Sequence, residues 1–296
     1  MDRSRGVKLV VIGAGTMGRG IATVALQAGL GTTIVDLDPA VLEDARQAIE
    51  RRVTRGRNAD STDALPPSLR LSTDLRAALG DADAVIEAVP EVRDLKRAVF
   101  GQVREFAPKR ALLATNTSTM SVSELAEACD GSARVIGMHF FNPVHRMALV
   151  EIVVGNGTSE QTKADAIALC ARLGKEPIVV RDVPGFVTSR LGLLLGNAAM
   201  RLVEDDVASA ADVDKAMRLG YGHPMGPLEL ADLVGLDARL NNLRSMFARS
   251  GDPQYSPPAI LERMVEAGRR GKKSGTGFYD YDEQGRRAPS TQGLAS

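Results

Sequence analysis

Residues 7–36 read VKLVVIGAGTMGRGIATVALQAGLGTTIVD, and the fold follows from how that stretch divides. Val7, Leu9, Val10, Val11 and Ile12 make an apolar run of the kind that forms a strand buried on both faces. Gly13-Ala14-Gly15-Thr16-Met17-Gly18 follows at once. A helical period then puts Met17, Ile21, Val24, Ala25 and Ala28 on one face, Gly29 and Gly31 close the helix, and Thr32 to Val35 is a second apolar strand running into Asp36. The three glycines at 13, 15 and 18 suit a tight turn, a close approach of backbone to a diphosphate, and close packing of helix on strand. The diphosphate would rest on free N–H groups at the helix N-terminus, where the dipole favours negative charge. A glycine-rich turn alone would fit many α/β proteins. One that carries its strand, its helix, its second strand and its acid specifies a dinucleotide site. Asp36 stands where a carboxylate accepts hydrogen bonds from ribose hydroxyls and would repel a 2′-phosphate, so the expected cofactor is NAD, with Arg46 and the arginines at 51–57 too distant to reverse the preference.

Downstream, Pro39 to about Arg57 reads as a long helix ending in the basic cluster Arg51, Arg52, Arg55 and Arg57. Residues 58–68 carry loop chemistry, including Pro66 and Pro67. A short strand is expected at 69–71, a short helix capped by Asp74, a buried strand at 84–89, and a helix over 93–106 with Leu95, Val99, Val103 and Phe106 inward. Strands at 111–114, 134–138, 148–154 and 177–180 alternate with helices at 121–129 and 160–173. Such alternation specifies an α/β, Rossmann-type doubly wound and mostly parallel sheet, whose ligands bind beyond the C-terminal strand ends. The polar turns at 13–18, 115–119 and 139–143 all fall at those ends. After Asp182-Val183-Pro184-Gly185-Phe186 the patterns turn helical, closing with a basic loop at 271–275 and a short strand at Gly277-Phe278-Tyr279. The expected organisation is a dinucleotide-binding domain over residues 1–183 and an all-α domain over 184–296 that completes a cleft and carries a subunit interface.

With 296 residues, either one large or two smaller domains can bury a substantial core. Lys+Arg and Asp+Glu balance at 37 each, so bulk charge gives no reason to expect nucleic acid or a membrane surface as partner. The first residues pass straight into the first strand without a signal-peptide pattern, and the most apolar helix, 191–203, is well short of the ~20 residues that span a bilayer. Cys129 and Cys170 lack metal-like spacing; no metal site is expected, and buried free thiols in a reducing cytoplasm are the plainer reading.

Across about residues 7–282 the chain resembles the NAD-dependent L-3-hydroxyacyl-CoA dehydrogenase family. The resemblance rests on GAGTMG at 13–18, EAVPE at 87–91, NTS at 116–118, HFFNPV at 139–144 with LVEIV at 149–153, DVPGFV at 182–187, HPMGPLELADLVGLD at 223–237 and GKKSGTGFY at 271–279. Each fragment is modest; their order and spacing together are specific. The resemblance implies oxidation of an (S)-3-hydroxyacyl thioester on a short acyl chain and a homodimer formed through the helical domain.

The residues support that chemistry independently. Oxidising a secondary alcohol by hydride transfer needs a base for the hydroxyl proton, and an imidazole suits near-neutral pH. Of three histidines, only His139 lies just past a buried strand at the C-terminal rim; His145 reads as a solvated loop residue and His223 as structural. A base histidine needs a partner that fixes its tautomer. Glu151, twelve residues on in the apolar strand Leu149-Val150-Glu151-Ile152-Val153, is a carboxylate that demands a buried partner. In the resembled family the matching histidine is the base and the matching glutamate orients it; a structural ion pair is the alternative.

Ser118 matches the serine that hydrogen-bonds the substrate's 3-oxygen, although Asn116–Ser118 could by itself be a helix-capping turn. Asn116 and Asn142 match positions near the nicotinamide, and Glu91, Lys96 and Lys273 match other cofactor contacts; Lys96 read without the resemblance is a solvated helix lysine. Two departures stand out. Where the family often has an asparagine near the thioester carbonyl, this chain has Thr188-Ser189-Arg190, leaving Ser189 as a possible substrate contact. The stretch matching the hairpin that in the family grips the CoA adenine and 3′-phosphate is compact here, with Pro66 and Pro67 and no matching lysine, so Arg52, Arg55 and Arg57 either pair with that phosphate or face solvent. A carrier-protein-bound thioester lacks both groups and is the alternative substrate; a free 3-hydroxy acid or sugar acid, or a non-catalytic NAD-binding protein, completes the alternatives.

Overall fold

The computed structural model of the chain describes residues 6–55, 69–118, 120–131 and 133–288. Arg57, Pro66, Pro67 and the expected loop at 58–68 lie outside the described residues, as does the side chain of Arg55. Two compact units are formed, Met1–Phe186 and Val187–Ser296.

The first unit is built on eight strands: β1 Lys8–Ile12, β2 Gly31–Val35, β3 Leu69–Ser72, β4 Ala84–Glu87, β5 Leu112–Thr115, β6 Val135–Phe140, β7 Leu149–Val154 and β8 Glu176–Arg181. They form one sheet in the order β3-β2-β1-β4-β5-β6-β7-β8. Every pairing is parallel except β6 with β7. The crossovers are α1 Thr16–Gln27, α2 Pro39–Arg55, α3 Leu75–Leu79, α4 Arg93–Phe106, α5 Val122–Glu127 and α6 Glu160–Arg172. Side chains alternate between sheet faces, so Leu9 and Val11 of β1 join one core with Ile21 of α1, Ile49 of α2 and Leu169 of α6. Val10 and Ile12 join the other, with Leu79 of α3, Phe100 of α4 and Leu125 of α5. Strands covered on both faces explain why their sequences are continuous apolar runs.

Local chemistry sets the element ends. Asp74 caps α3 by accepting from the Ala77 N–H at 3.0 Å, and Ser121 caps α5 by accepting from the Glu124 N–H. Asp182 accepts from the Ser123 N–H at 2.8 Å and the Val122 N–H at 3.1 Å, which ties the segment after β8 to the start of α5.

The second unit is helical: α7 Thr188–Glu204, α8 Ala210–Tyr221, α9 Pro227–Val234, α10 Leu236–Ser250 and α11 Ala259–Glu266. Its core gathers Leu193, Met200, Leu228, Leu240, Leu243, Tyr255 and Leu261. Buried Asp214 takes the first N–H groups of α9, Leu228 at 2.8 Å and Glu229 at 2.9 Å, groups no residue within the helix can satisfy. The strand expected at Gly277-Phe278-Tyr279 does not form. The Phe278 and Tyr279 N–H groups go instead to buried Asp232, both at 2.9 Å, and the segment keeps only single bridges such as Thr276 with Asp280. Among the described residues no helix is long and apolar enough to cross a membrane. Cys129 and Cys170 are buried and free, and burial pushes their thiols up to about 11 and about 12.

The glycine turn between β1 and α1 separates two requirements. Gly13 has φ +101°, and a Cβ there would meet the Ala88 carbonyl oxygen at 2.7 Å. At Gly18 a Cβ would lie 1.8 Å from the Gly13 carbonyl oxygen, whereas at Gly15 it would meet nothing within 4 Å. Gly18→Ala is therefore expected to destabilise the first unit by about 1–3 kcal/mol, a fall of roughly 2–12 °C in Tm. Gly15→Ala should stay within about 1 kcal/mol of the parent by the same calorimetric measurement.

Candidate active site

Strands β1, β4, β5 and β6 deliver their C-terminal ends to one edge of the sheet, and a cavity of about 860 Å³ opens there. Gly13, Gly15, Thr16, Met17 and Asp36 line it together with Glu91, Asn116, Ser118, His139 and Asn142. Gly18 stays behind this wall, packed on the Gly13 carbonyl. The sequence thus brings ten of its expected site residues to one surface.

The glycine turn fits a dinucleotide. At Gly15 there is open space where a side chain would stand, so the backbone at the start of α1 is bare. No acidic side chain occupies the first turn of α1, which leaves the positive end of its dipole to an anionic ligand. Asp36 is latched in place by the Ala14 N–H, donated to Oδ2 at 2.8 Å. Arg46, the nearest candidate to favour a 2′-phosphate, is engaged on its own helix by Glu43 and by Glu50 at 3.0 Å. Leu37, 87% exposed, also lines the cavity. A lone exposed apolar side chain is ordinary in a sequence, and only its place at the cavity beside Asp36 singles Leu37 out.

His139 and Glu151 stand directly opposite each other in the antiparallel β6–β7 ladder. Directly opposed residues project to the same face with Cβ atoms ~5 Å apart, so the side chains meet: Nδ1 of His139 lies 2.6 Å from Oε2 of Glu151. Glu151 is fully buried and His139 is 9% exposed. A carboxylate so placed accepts a hydrogen bond from Nδ1–H and leaves Nε2 for a ligand, and it stabilises the ring when Nε2 gains a proton. The rings of Phe141 and Phe186 pack on the imidazole, with centroids 4.5 and 5.8 Å away.

Lys96 is not a solvated helix lysine. It is completely buried, its ammonium 2.7 Å from Oε1 and 3.0 Å from Oε2 of Glu87, itself 1% exposed, and 3.3 Å from Oε2 of Glu91. The inward face of α4 is consequently Lys96, Val99, Phe100 and Val103, with Leu95 left 38% exposed at the cavity wall. Glu87 also accepts from Thr115 Oγ1 and the Val89 N–H, each at 2.7 Å. Burial still pushes its carboxyl above the usual range, against the pull of Lys96. Glu91 accepts from Thr117 Oγ1 and, at 3.1 Å, from the Ser118 N–H. The lysine thus lies behind the wall and acts on Glu91, which in turn holds Ser118. Only the acid at 87, ending an otherwise apolar strand, hinted at this network in the sequence.

Other expected residues are placed differently. Asn116 Oδ1 accepts from the Phe140 N–H at 3.0 Å, joining the end of β5 to β6. Buried Lys175, unremarked in the sequence, donates to the carbonyl of Val144 and, at 2.9 Å, of Met147, pinning the segment after Asn142. Arg52 does not line the cavity; its guanidinium lies 2.8 Å from Nδ1 of the exposed His145. Burial and the cations Arg52, Arg146 and Lys175 hold that imidazole below its ordinary value. In the second unit Ser189 sits in the first turn of α7, and Lys273 pairs with Asp237 at 2.7 Å.

Two family descriptions match the chain: the 3-hydroxyacyl-CoA dehydrogenase NAD binding domain over residues 8–183 and the C-terminal domain over residues 185–281. The chain is 39% identical to a probable 3-hydroxybutyryl-CoA dehydrogenase of Bacillus subtilis, over 94% of this chain and 98% of that protein. It is 41% identical to a 3-hydroxybutyryl-CoA dehydrogenase of Mycobacterium tuberculosis, over 92% and 97%. The crystal structure of (S)-3-hydroxybutyryl-CoA dehydrogenase from Ralstonia eutropha superimposes with a TM-score of 0.88 at 36% identity, covering 94% of this chain and 100% of that one.

Removing one member of a buried ion pair leaves the other charge stranded in a low-dielectric interior. Lys96→Met should therefore cost about 3–5 kcal/mol by denaturant unfolding, and the double variant Lys96→Met/Glu87→Gln should recover most of that loss.

Proposed function

The chain belongs to the 3-hydroxyacyl-CoA dehydrogenase family, whose members use NAD, and from that premise we propose the reaction (S)-3-hydroxyacyl-CoA + NAD⁺ ⇌ 3-oxoacyl-CoA + NADH + H⁺, with 3-hydroxybutyryl-CoA as the short-chain substrate. The observation that carries this reading is the 2.6 Å contact of His139 with buried Glu151 at the wall of the glycine-turn cavity. NAD, when bound, supplies the hydride acceptor. Gly13, Gly15, Thr16, Met17 and Gly18 shape the diphosphate seat, Asp36 takes the ribose hydroxyls, and Asn116 and Asn142 face the nicotinamide end. Lys96 contributes through Glu91 rather than by direct contact.

In the oxidative direction His139 Nε2 accepts the 3-hydroxyl proton as the C3–H bond gives up its hydride. Glu151 holds the Nδ1 proton throughout and neutralises the imidazolium that results. Ser118 donates a hydrogen bond to the 3-oxygen, and its loop is kept in place by Glu91. Without such fixed groups the alcohol would have to ionise against water, at a cost the pair removes by being set before substrate arrives. To the second unit we assign acyl-thioester contacts through Ser189, a cofactor contact through Lys273, and the association of two copies. Arg52, with Arg55 and Arg57, is assigned to the anionic end of CoA. A cytoplasmic setting is assigned from the buried, unpaired thiols of Cys129 and Cys170.

Purified protein given acetoacetyl-CoA and NADH should consume NADH absorbance. Turnover confined to a carrier-protein thioester, or to free 3-hydroxy acids, would move the substrate assignment, and NAD binding without any turnover would make the protein a non-catalytic binder. His139→Ala should lower kcat by about 10²–10⁴-fold, with the Kd for NAD unchanged. Gly15→Ala, in contrast, should weaken NAD binding while leaving the His139 ring and its partner in place, as read by calorimetric titration.

A further inference from the structure

A hydrogen bond fixes one atom of a ring. Glu151 holds His139 at Nδ1, but rotation of the imidazole about that contact remains, and the χ2 torsion of histidine is broad rather than locked in one narrow well. Something else must set the plane of the ring and so the direction of Nε2.

Phe186 is placed to do so. Its ring centroid lies 5.8 Å from that of His139 with the planes inclined at 56°, within the separation at which tilted aromatic pairs attract. The side chain is 2% exposed and belongs to the core on the α3–α4–α5 side of the sheet. Its backbone is unusual: φ is +46°, following Gly185 at +73°. For a bulky residue with a Cβ this left-handed conformation costs roughly 1–2 kcal/mol, and such positions persist only where their surroundings hold them. Here the holding is visible. Asp182 ties the segment to the start of α5, and the Phe186 N–H closes a turn on the Val183 carbonyl at 3.0 Å. A glycine at 186 would relieve the backbone, yet it would offer no ring. The strained residue is therefore one whose side chain is needed where it lies.

We propose that Phe186 is a positioning residue: its buried ring, with that of Phe141, sets the rotation of the His139 imidazole so that Nε2 is aimed at the reacting hydroxyl. The catalytic half of this statement rests on the dehydrogenase reading above. Phe186 touches neither substrate nor cofactor in this role. Its contribution is orientation, and misplacing a reacting group by ~1 Å can cost about 10²-fold in rate.

Phe186→Leu keeps apolar bulk and removes the planar ring; Phe186→Met fills the same space with a flexible chain. In variants that retain the parent's cooperative melting, kcat with 3-hydroxybutyryl-CoA should fall about 10–100-fold while KM and Kd for NAD stay within about twofold, and the isotope effect of substrate deuterated at C3 should rise. Nitrogen NMR of the three histidines, with His139→Asn to assign the resonance, gives a readout independent of turnover. In the parent, the His139 ring should give one set of narrow ring resonances, and in the variants shifts averaged and broadened by ring reorientation, with the tautomer fixed by Glu151 unchanged in both. Unchanged kcat with unchanged ring shifts would overturn the proposal, and so would averaged shifts in the parent, which need no variant to fold. A parent lacking all turnover would instead sink the dehydrogenase reading, leaving the nitrogen shifts to decide the positioning role alone.

Discussion

The antiparallel pairing of β6 with β7 is the constraint on which the site depends. Were β7 parallel to β6, as the other neighbours in the sheet are, a crossover would separate residues 139 and 151, and no twelve-residue interval could set them face to face. Reversal makes the pairing a matter of ladder register: opposite residues share a face, so a slip by one position would turn Glu151 to the other side of the sheet. The main chain, through hydrogen bonds common to every sheet, thus places an ionisable pair that no loop would hold as closely. The apolar residues on either side, Val150 and Ile152, secure the register by their burial.

The rest of the first unit gathers around this pair. Parallel strands bring the glycine turn, the end of β4, the turn after β5 and His139 to one rim, and each arrives with its own fastening. Asp36 latches the first, Glu87 and Lys96 join the second to the third, and Asn116 joins the third to β6. These contacts run sideways between strand ends, where the ladder itself has stopped. They make the rim a continuous piece rather than four separate turns, a prerequisite for groups that must meet a small ligand within fractions of an ångström.

Much of this was legible in the sequence because it rests on short-range rules. The β1–α1–β2 stretch, the doubly wound sheet and the helical second unit follow from periodicity and turn residues; a carboxylate in an apolar strand demanded a buried partner for Glu151, and the family resemblance supplied the histidine's role. What escaped was side-chain placement that only tertiary packing decides. Lys96 lies in a helix whose period suggested Leu95 as the inward residue, yet two carboxylates from β4 and its following turn draw the ammonium inside and leave the leucine at the cavity wall. Lys175 gave no pattern at all, since its partners are backbone carbonyls of a distant segment. The terminal strand at 277–279 was lost because Asp232 competes successfully for its N–H groups. Phe186 was read only as part of a turn; its backbone angle and its neighbour are not sequence properties.

Sealing Lys96 against Glu87 also couples what can be changed at the two positions. A chain altered at only one of them keeps a stranded charge and gives up part of its stability margin. Both positions can be abandoned together but not in turn. The two residues therefore behave as one unit of the sequence, whereas the outward-facing residues of the same helix can be exchanged singly.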